Sequence, residues 1–328
     1  MTKKVFSFYF GCVLFSLPFG KGWGWAFVSA QQTPQYTQFM LNNYGMNPAA
    51  CGSSKNRIEA LAGTRKQWVG FENSPATSFF NVTTYFGRKG GGVNHGWHGI
   101  GAYWQGDRMG EVIKTDDFYA SYTYNMHLMK YGYIAFGIAA GARRYGFRIN
   151  EASDPVLISK NIWIYPDFIP GVKFYNNKMS FDLSIKQLYK YNVKQGSNMV
   201  GSPAKLSPHI YFSAMKKWWA RPSLLIIQSL HIKSDCSSLP SFDYNMLAYL
   251  NKFFAVGLSY RHLDAIAAMV QFHFDKLVIG IAYDYTIAPY RLGFANSEEL
   301  MVGVSPSPWS DSQNIRQGRA AECPTFQY

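Results

Sequence analysis

Between Lys178 and Gln187 apolar and polar residues alternate without a break. Met179, Phe181, Leu183 and Ile185 take every second position, with Ser180, Asp182, Ser184 and Lys186 between them. In an extended chain a period of two sends successive side chains to opposite faces, so this segment has one apolar face and one polar face. The pattern returns downstream. Phe242, Tyr244, Met246, Ala248 and Leu250 share a face, as do Phe254, Val256, Leu258 and Tyr260. Two further sets are Ile266 to Phe274 and Leu277 to Tyr285, at every second residue. The opposite faces carry Asp243, Asn245, Ser259, Arg261, Gln271, His273, Asp284 and Thr286. Upstream, Ile134, Phe136, Ile138, Ala140 and Ala142 oppose Gly137, Gly141 and Arg143.

Extended over the chain, this periodicity predicts strands near 57–68, 77–87, 97–106, 115–126, 132–144, 167–175, 178–187, 206–215, 221–232, 241–250, 253–262, 265–274, 277–286 and 298–305. A soluble sandwich would turn the apolar faces inward; an outer-membrane barrel turns them toward lipid around a polar lumen. Segments of about ten residues match a tilted bilayer crossing. Trp97, Trp104, Tyr122, Tyr124, Tyr260, Tyr283 and Tyr285 cluster at segment ends, as an interfacial girdle requires. Connections alternate as well. Asn176-Asn177, Asn251-Lys252 and Asp275-Lys276 are turn pairs, whereas 145–166, 188–205 and 287–297 are long. Leu263-Asp264 is short where a long loop belongs. The expected fold is therefore an all-β transmembrane outer-membrane barrel of about 14 antiparallel strands over 57–305, with both termini periplasmic.

The ends of the chain fit that location. Lys3 and Lys4, the apolar run from Val5 to Phe19 and the small residues Val28-Ser29-Ala30 compose an export signal over 1–30. Its removal takes three lysines and no acid, lowering the formal charge from +13 to +10. Residues 31–56 form a periplasmic or lumenal leader, and 306–328 a periplasmic tail. The longest apolar stretch of the remainder, SLLIIQSL at 223–230, is far short of a spanning helix. A barrel satisfies its backbone between strands, which accommodates a mean hydropathy of −0.15. The basic balance suits anionic head groups or acidic partners, and export with lipid-facing aromatics argues against nucleic acid. Cys51, Cys236 and Cys323 are too scattered for a disulfide framework or zinc site.

Little in the chain points to chemistry. His95 and His98 lie in a Gly-rich connection with no acid nearby, which favours a turn over a metal site. Gly90 to Gly92 lack the Lys-Ser/Thr of a phosphate loop. Asp116 and Asp117 stand at a strand entrance without an acid–base partner. No nucleophile elbow occurs. No catalytic residue, metal or cofactor is expected. Arg143, Lys173, Lys186, Arg261 and His273 either line a pore or pair with Asp182, Asp243 and Asp284 and close it.

The leader remains. PQYTQFMLNNYGMNPAACGS resembles the opening of the PorP/SprF outer-membrane proteins of the type IX secretion and gliding machinery, of the form Gln-Tyr-x-Gln-Tyr/Phe-Met, then Asn-Pro-Ala and Gly-Ser. RKQWVGFENSPATS is similar to that family's Arg-x-Gln-Trp-x-Gly and following turn, and YRHLDAIAAMV and GIAYDYT to its late strands. The matching positions are Gln35, Tyr36, Gln38, Phe39, Met40, Asn47, Pro48, Ala49, Gly52, Arg65, Gln67, Trp68, Gly70, Pro75, Tyr283, Asp284 and Tyr285. The chain departs at Cys51, where a small residue such as Ala is expected, at 297–301 and in its tail. The resemblance implies a non-enzymatic barrel whose partners are type IX components and a secreted cargo or adhesin. A solute channel on the same barrel is the alternative. Within the leader, Tyr36, Phe39, Met40 and Tyr44 are candidate apolar anchors, and Asn42, Asn43 and Asn47 candidate hydrogen-bonding residues. Pro48 restricts Asn47 to an extended conformation.

Overall fold

The computed structural model describes residues 34–305 except 55, 89–95, 111–112, 129–130, 148–161, 189–207, 222–223, 236–239, 251–252, 275 and 288–295. The expected export signal and C-terminal tail lie outside the described residues, as do His95, Cys236 and Cys323.

Fourteen antiparallel strands close into one barrel: β1 (Ile58–Val69), β2 (Ala76–Phe86), β3 (Trp97–Met109), β4 (Ile113–Leu128), β5 (Gly132–Phe147), β6 (Ile162–Tyr175), β7 (Met179–Lys186), β8 (His209–Arg221), β9 (Leu224–Ser234), β10 (Ser241–Tyr249), β11 (Phe254–Arg261), β12 (Ala265–His273), β13 (Leu277–Thr286) and β14 (Asn296–Val304). Each strand pairs with its sequence neighbours, and β1 closes on β14 from Ala60↔Val304 to Lys66↔Glu298. Closure leaves no sheet edge, so the spanning backbone is hydrogen-bonded between strands.

The faces are those that the periodicity predicts. In β7, Phe181 and Leu183 are 43% and 47% exposed, whereas Ser180, Asp182 and Ser184 are buried. Asp243, Asn245, Ser259, Arg261, Gln271, His273 and Asp284 all point inward and are buried. Apolar groups outside and polar groups inside give this molecule an inverted distribution, which is stable only with lipid around it. Tyr122, Tyr260, Tyr283 and Tyr285 are exposed on the outer face. Trp97 is not part of that girdle. It lies on the inner face of β3, buried, and its indole Nε1 donates to the Gly52 carbonyl at 2.7 Å. Its place at a strand end suggested an interfacial role, but its inward parity decides the matter.

The strand bounds also separate two kinds of rim. On one rim the β4–β5, β6–β7, β8–β9, β10–β11 and β12–β13 connections are short and β2–β3 (87–96) is the exception. On the other β5–β6, β7–β8 and β13–β14 are long, and β3–β4 (110–112) is short. Leu263-Asp264 is a tight turn on the long-loop side, with Leu263 at φ 57°.

Candidate functional site

The lumen is occupied by the chain itself. Residues 34–54 run along its length, from the level of Arg65 near the far end of β1 to that of Glu59 near its start. The segment contains one helical turn, α1 (Asn43–Met46), and a 3₁₀ turn at Pro48–Ala50. Tyr36, Phe39, Met40, Leu41, Met46, Ala49, Ala50 and Cys51 are buried, together with Thr37, Gln38, Asn42, Asn43 and Asn47. Two ends hold it by different means.

At the far end the grip is electrostatic. The Thr37 and Gln38 amides donate to the two carboxylate oxygens of Glu299, each at 2.8 Å. The Thr37 hydroxyl donates to Asp284 at 2.7 Å and accepts from Arg65 Nη1 at 2.8 Å. Asn245 Nδ2 donates to the Thr37 carbonyl at 2.7 Å. Every polar group of Thr37 thus meets the wall. Behind it, Arg65 pairs with Asp284 at 2.6 Å and Glu299 at 3.3 Å, and Arg261 reaches Asp284 and Asp243, each at 3.2 Å. Buried charges are stable only when paired and hydrogen-bonded, and the leader supplies part of that pairing.

Apolar anchors follow. The Tyr36 ring sits edge-on to Phe79 at 5.0 Å, and its hydroxyl donates to Gln105. Phe39 stacks on His231 at 4.9 Å. Met40 and Leu41 belong to the same buried cluster. The Tyr44 hydroxyl meets Ser121 Oγ at 2.7 Å.

At the near end the grip is steric. Gly137 and Gly171 are cross-strand partners on β5 and β6. A Cβ on Gly137 would meet the Ala49 backbone, and one on Gly171 the Asn47 side chain, each closer than 3.0 Å. Their lack of side chains cuts a notch for the 3₁₀ turn. Asn47, extended at φ −141°, accepts from the Ala49 amide at 2.9 Å and donates to the Val172 carbonyl at 3.0 Å. Thr123 donates to the Pro48 carbonyl, Ser184 to that of Met46 and Lys186 Nζ to that of Gly45. Cys51 is enclosed against Gly99 and Thr84, which explains why only a small residue fits there. Burial pushes its thiol up to about 12.

Of the basic residues of the lumen, Arg143, Lys173 and Arg261 are ion-paired, Arg143 with Asp117 rather than with one of the expected acids. Lys186 instead bonds the Gly45 carbonyl, and His273 meets Gln271. Arg143 makes a bidentate contact with Asp117 at 2.6 and 2.7 Å, and Lys173 binds Asp182 at 2.8 Å. Asp116 and Asp117 both lie in β4, Asp116 beside Lys114 and Arg144. His98 lies in β3, stacked on Phe86 and bonded to the Tyr122 hydroxyl. Among the described residues no three His, Cys, Asp or Glu side chains come together as a metal site.

The structure divides the sequence-predicted residues into two groups. Tyr36, Gln38, Phe39, Met40, Asn47 and Pro48 are buried in the lumen, and Arg65 and Asp284 hold Thr37 from the wall. Gln35 is half-buried at the upper margin of the leader. Gln67, Trp68, Gly70 and Pro75 do not join them. They shape the β1–β2 connection, where the Gln67 amide donates to the Pro75 carbonyl and Trp68 and Gly70 take positive φ of 53° and 103°. Reading the sequence alone missed Thr37 and Glu299. Their signals were the position of Thr37 between two matched residues and the inward parity of Glu299 with Ser297 and Met301.

A family model described as "Type IX secretion system membrane protein PorP/SprF" matches residues 28–304. No match to a curated protein sequence was found. Among solved structures, the chain is similar to the CymD monoaromatic hydrocarbon channel at 9% identity, covering 83% of this chain and 94% of that one, with a TM-score of 0.48. The Pseudomonas putida toluene transporter TodX gives 7% identity, 80% and 93% coverage and a TM-score of 0.47. The Ralstonia pickettii toluene transporter TbuX gives 9%, 79%, 90% and 0.44. Likeness at this level bears on no function. The family match is of another order: it spans most of the chain, leader and barrel together, and the chain belongs to the PorP/SprF family.

Proposed function

We propose that this PorP/SprF-family barrel is an outer-membrane component of the type IX secretion or gliding apparatus, supporting export or surface attachment of cargo that bears a C-terminal signal domain. Its working part on this reading is the leader. The observation that carries the proposal is the family match across leader and barrel, together with a lumen filled by the matched leader residues. A filled, ion-paired lumen suits a scaffold or gated partner better than a solute pore, and the family is one of secretion machinery rather than of enzymes. Export would deliver the chain to the outer membrane by its N-terminal signal, and type IX components and the cargo or adhesin are its partners.

Replacing Tyr36 and Phe39 together by Ala tests the role of the leader. Neither residue belongs to the strand ladder, so the barrel should remain in the outer membrane and keep its heat-modifiable mobility. Secretion or surface display of the cargo should be lost. Normal secretion by the double variant would reduce the leader to a spacer. Steady single-channel conductance of the purified wild type would favour a solute channel instead.

A further inference from the structure

The two rims of the barrel differ in charge. Short turns mark the periplasmic rim of such barrels. On that rim Arg57 stands at the entrance to β1, Lys178 in the β6–β7 turn, Lys216 and Arg221 at the β8–β9 hairpin, and Lys276 in the β12–β13 turn. All five are exposed, and none forms an ion pair among the described residues. By sequence alone Lys89, Lys130 and Lys252 fall in the three remaining connections of this rim, β2–β3, β4–β5 and β10–β11, and one acid, Asp275, falls beside Lys276. Glu59, near the start of β1, is directed to Ser54 and Asn56. The long-loop rim is mixed. There Asp116 takes Lys114 and Arg144, Asp264 takes Arg261, and Lys66 is the cross-strand partner of Glu298.

We infer that the short-turn rim is a binding surface for anionic phospholipid head groups of the periplasmic leaflet. Distribution favours lipid over a protein partner: positive charge recurs around the circumference, as an annulus of lipid requires, and is not gathered on one flank. Parity favours it too. Lys216 shares the outward row of Trp218 in β8, so its ammonium group lies at the edge of the lipid-facing surface, and Lys276 is exposed in the β12–β13 turn. Long basic side chains there lay their methylenes along the apolar surface and place the charge among phosphates. Tyr131, Trp219 and Phe253, each more than half exposed, supply aromatic anchors at the same level. The inference is independent of the secretion role and holds whichever cargo is served.

The test compares three full-length proteins in vesicles of phosphatidylethanolamine with and without phosphatidylglycerol. They are the wild type, a rim variant (R57Q, K178Q, K216Q, R221Q, K276Q) and a control altered on the opposite rim (K66Q, R108Q, K114Q, R144Q). Boundary lipid is read with spin-labelled phosphatidylglycerol and by native mass spectrometry, and folding by heat-modifiable mobility. The wild type and the control should enrich phosphatidylglycerol several-fold at low salt, with the preference shrinking at high salt. The rim variant should remain folded and lose the preference. Equal enrichment by all three, equal loss in both variants, or absence of a preference in the wild type would overturn the inference. So would a rim that ignores phosphatidylglycerol yet retains an acidic periplasmic protein.

Discussion

The two ends of the leader solve one problem by opposite means. At Thr37–Gln38 the wall presents charge: Glu299, Asp284, Arg65 and Asn245 meet backbone and hydroxyl groups at 2.7–2.8 Å. At Asn47–Cys51 it presents absence, with Gly137, Gly171 and Gly99 leaving the space that the turn fills. The charged end is directional and fails steeply, because losing one partner strands a buried ion. The steric end tolerates small changes in polar contact but not added volume. The leader therefore has a selective lock at one end and a close fit at the other.

Removing the charge should have the largest effect. Arg65→Met leaves Asp284 dependent on Arg261 and deprives Glu299 of its ion pair, with an expected loss of roughly 3–5 kcal/mol in urea unfolding from lipid vesicles. A loss under 1 kcal/mol would show that the network contributes little to seating the leader. Breaking the wall itself should follow. Leu183→Arg, on the lipid face next to the leader contact Ser184, should cost roughly 2–4 kcal/mol near the midplane. It should do so with the leader still seated, which separates wall damage from leader release.

Filling the notch comes next. Gly137→Val should cost roughly 1–3 kcal/mol by overpacking and expel the near end of the leader. In a background lacking Cys236 and Cys323, the Cys51 thiol should be inert to maleimide at pH 8 in the parent, because its thiolate is scarce there and it is enclosed. It should label readily in the Gly137→Val protein. Equal protection in both proteins would mean that the notch does not position the turn. The smallest effect belongs to Ser184→Ala, which removes a single bond to the Met46 carbonyl and should cost about 0.5–1.5 kcal/mol. A larger loss there would place polar contacts above shape at the near end.

Much of the molecule was legible in the chain. The number of strands, their inner and outer faces and, except at the start of β6 and the end of β8, their bounds to within a few residues follow from a period of two, which is a local property. The β7 face from Met179 to Ile185 needs no partner strand to be recognised. The leader motif was legible by its residue order, and so was its content of apolar anchors and amides. Other features depend on groups distant in sequence. Whether Arg143, Lys173 and Arg261 line a pore or pair was undecided in the sequence, since Asp117, Asp182 and Asp243 become partners only through strand register. The inward turn of Trp97 is different: its parity with the buried Tyr103 and Gln105 is a local property, and its strand-end position suggested a girdle against that parity.

What the sequence determined by itself is the alternation, and hence a barrel that keeps apolar groups toward lipid, because each residue's face depends only on its neighbours in the chain. What only the tertiary structure decided is the interior. Glu299 lies 262 residues from Thr37, and Gly171 lies 124 from Asn47. Closing the barrel brings those residues together. Burial in a lumen that the leader itself fills then turns ordinary carboxylates and glycines into a lock and a fitted notch.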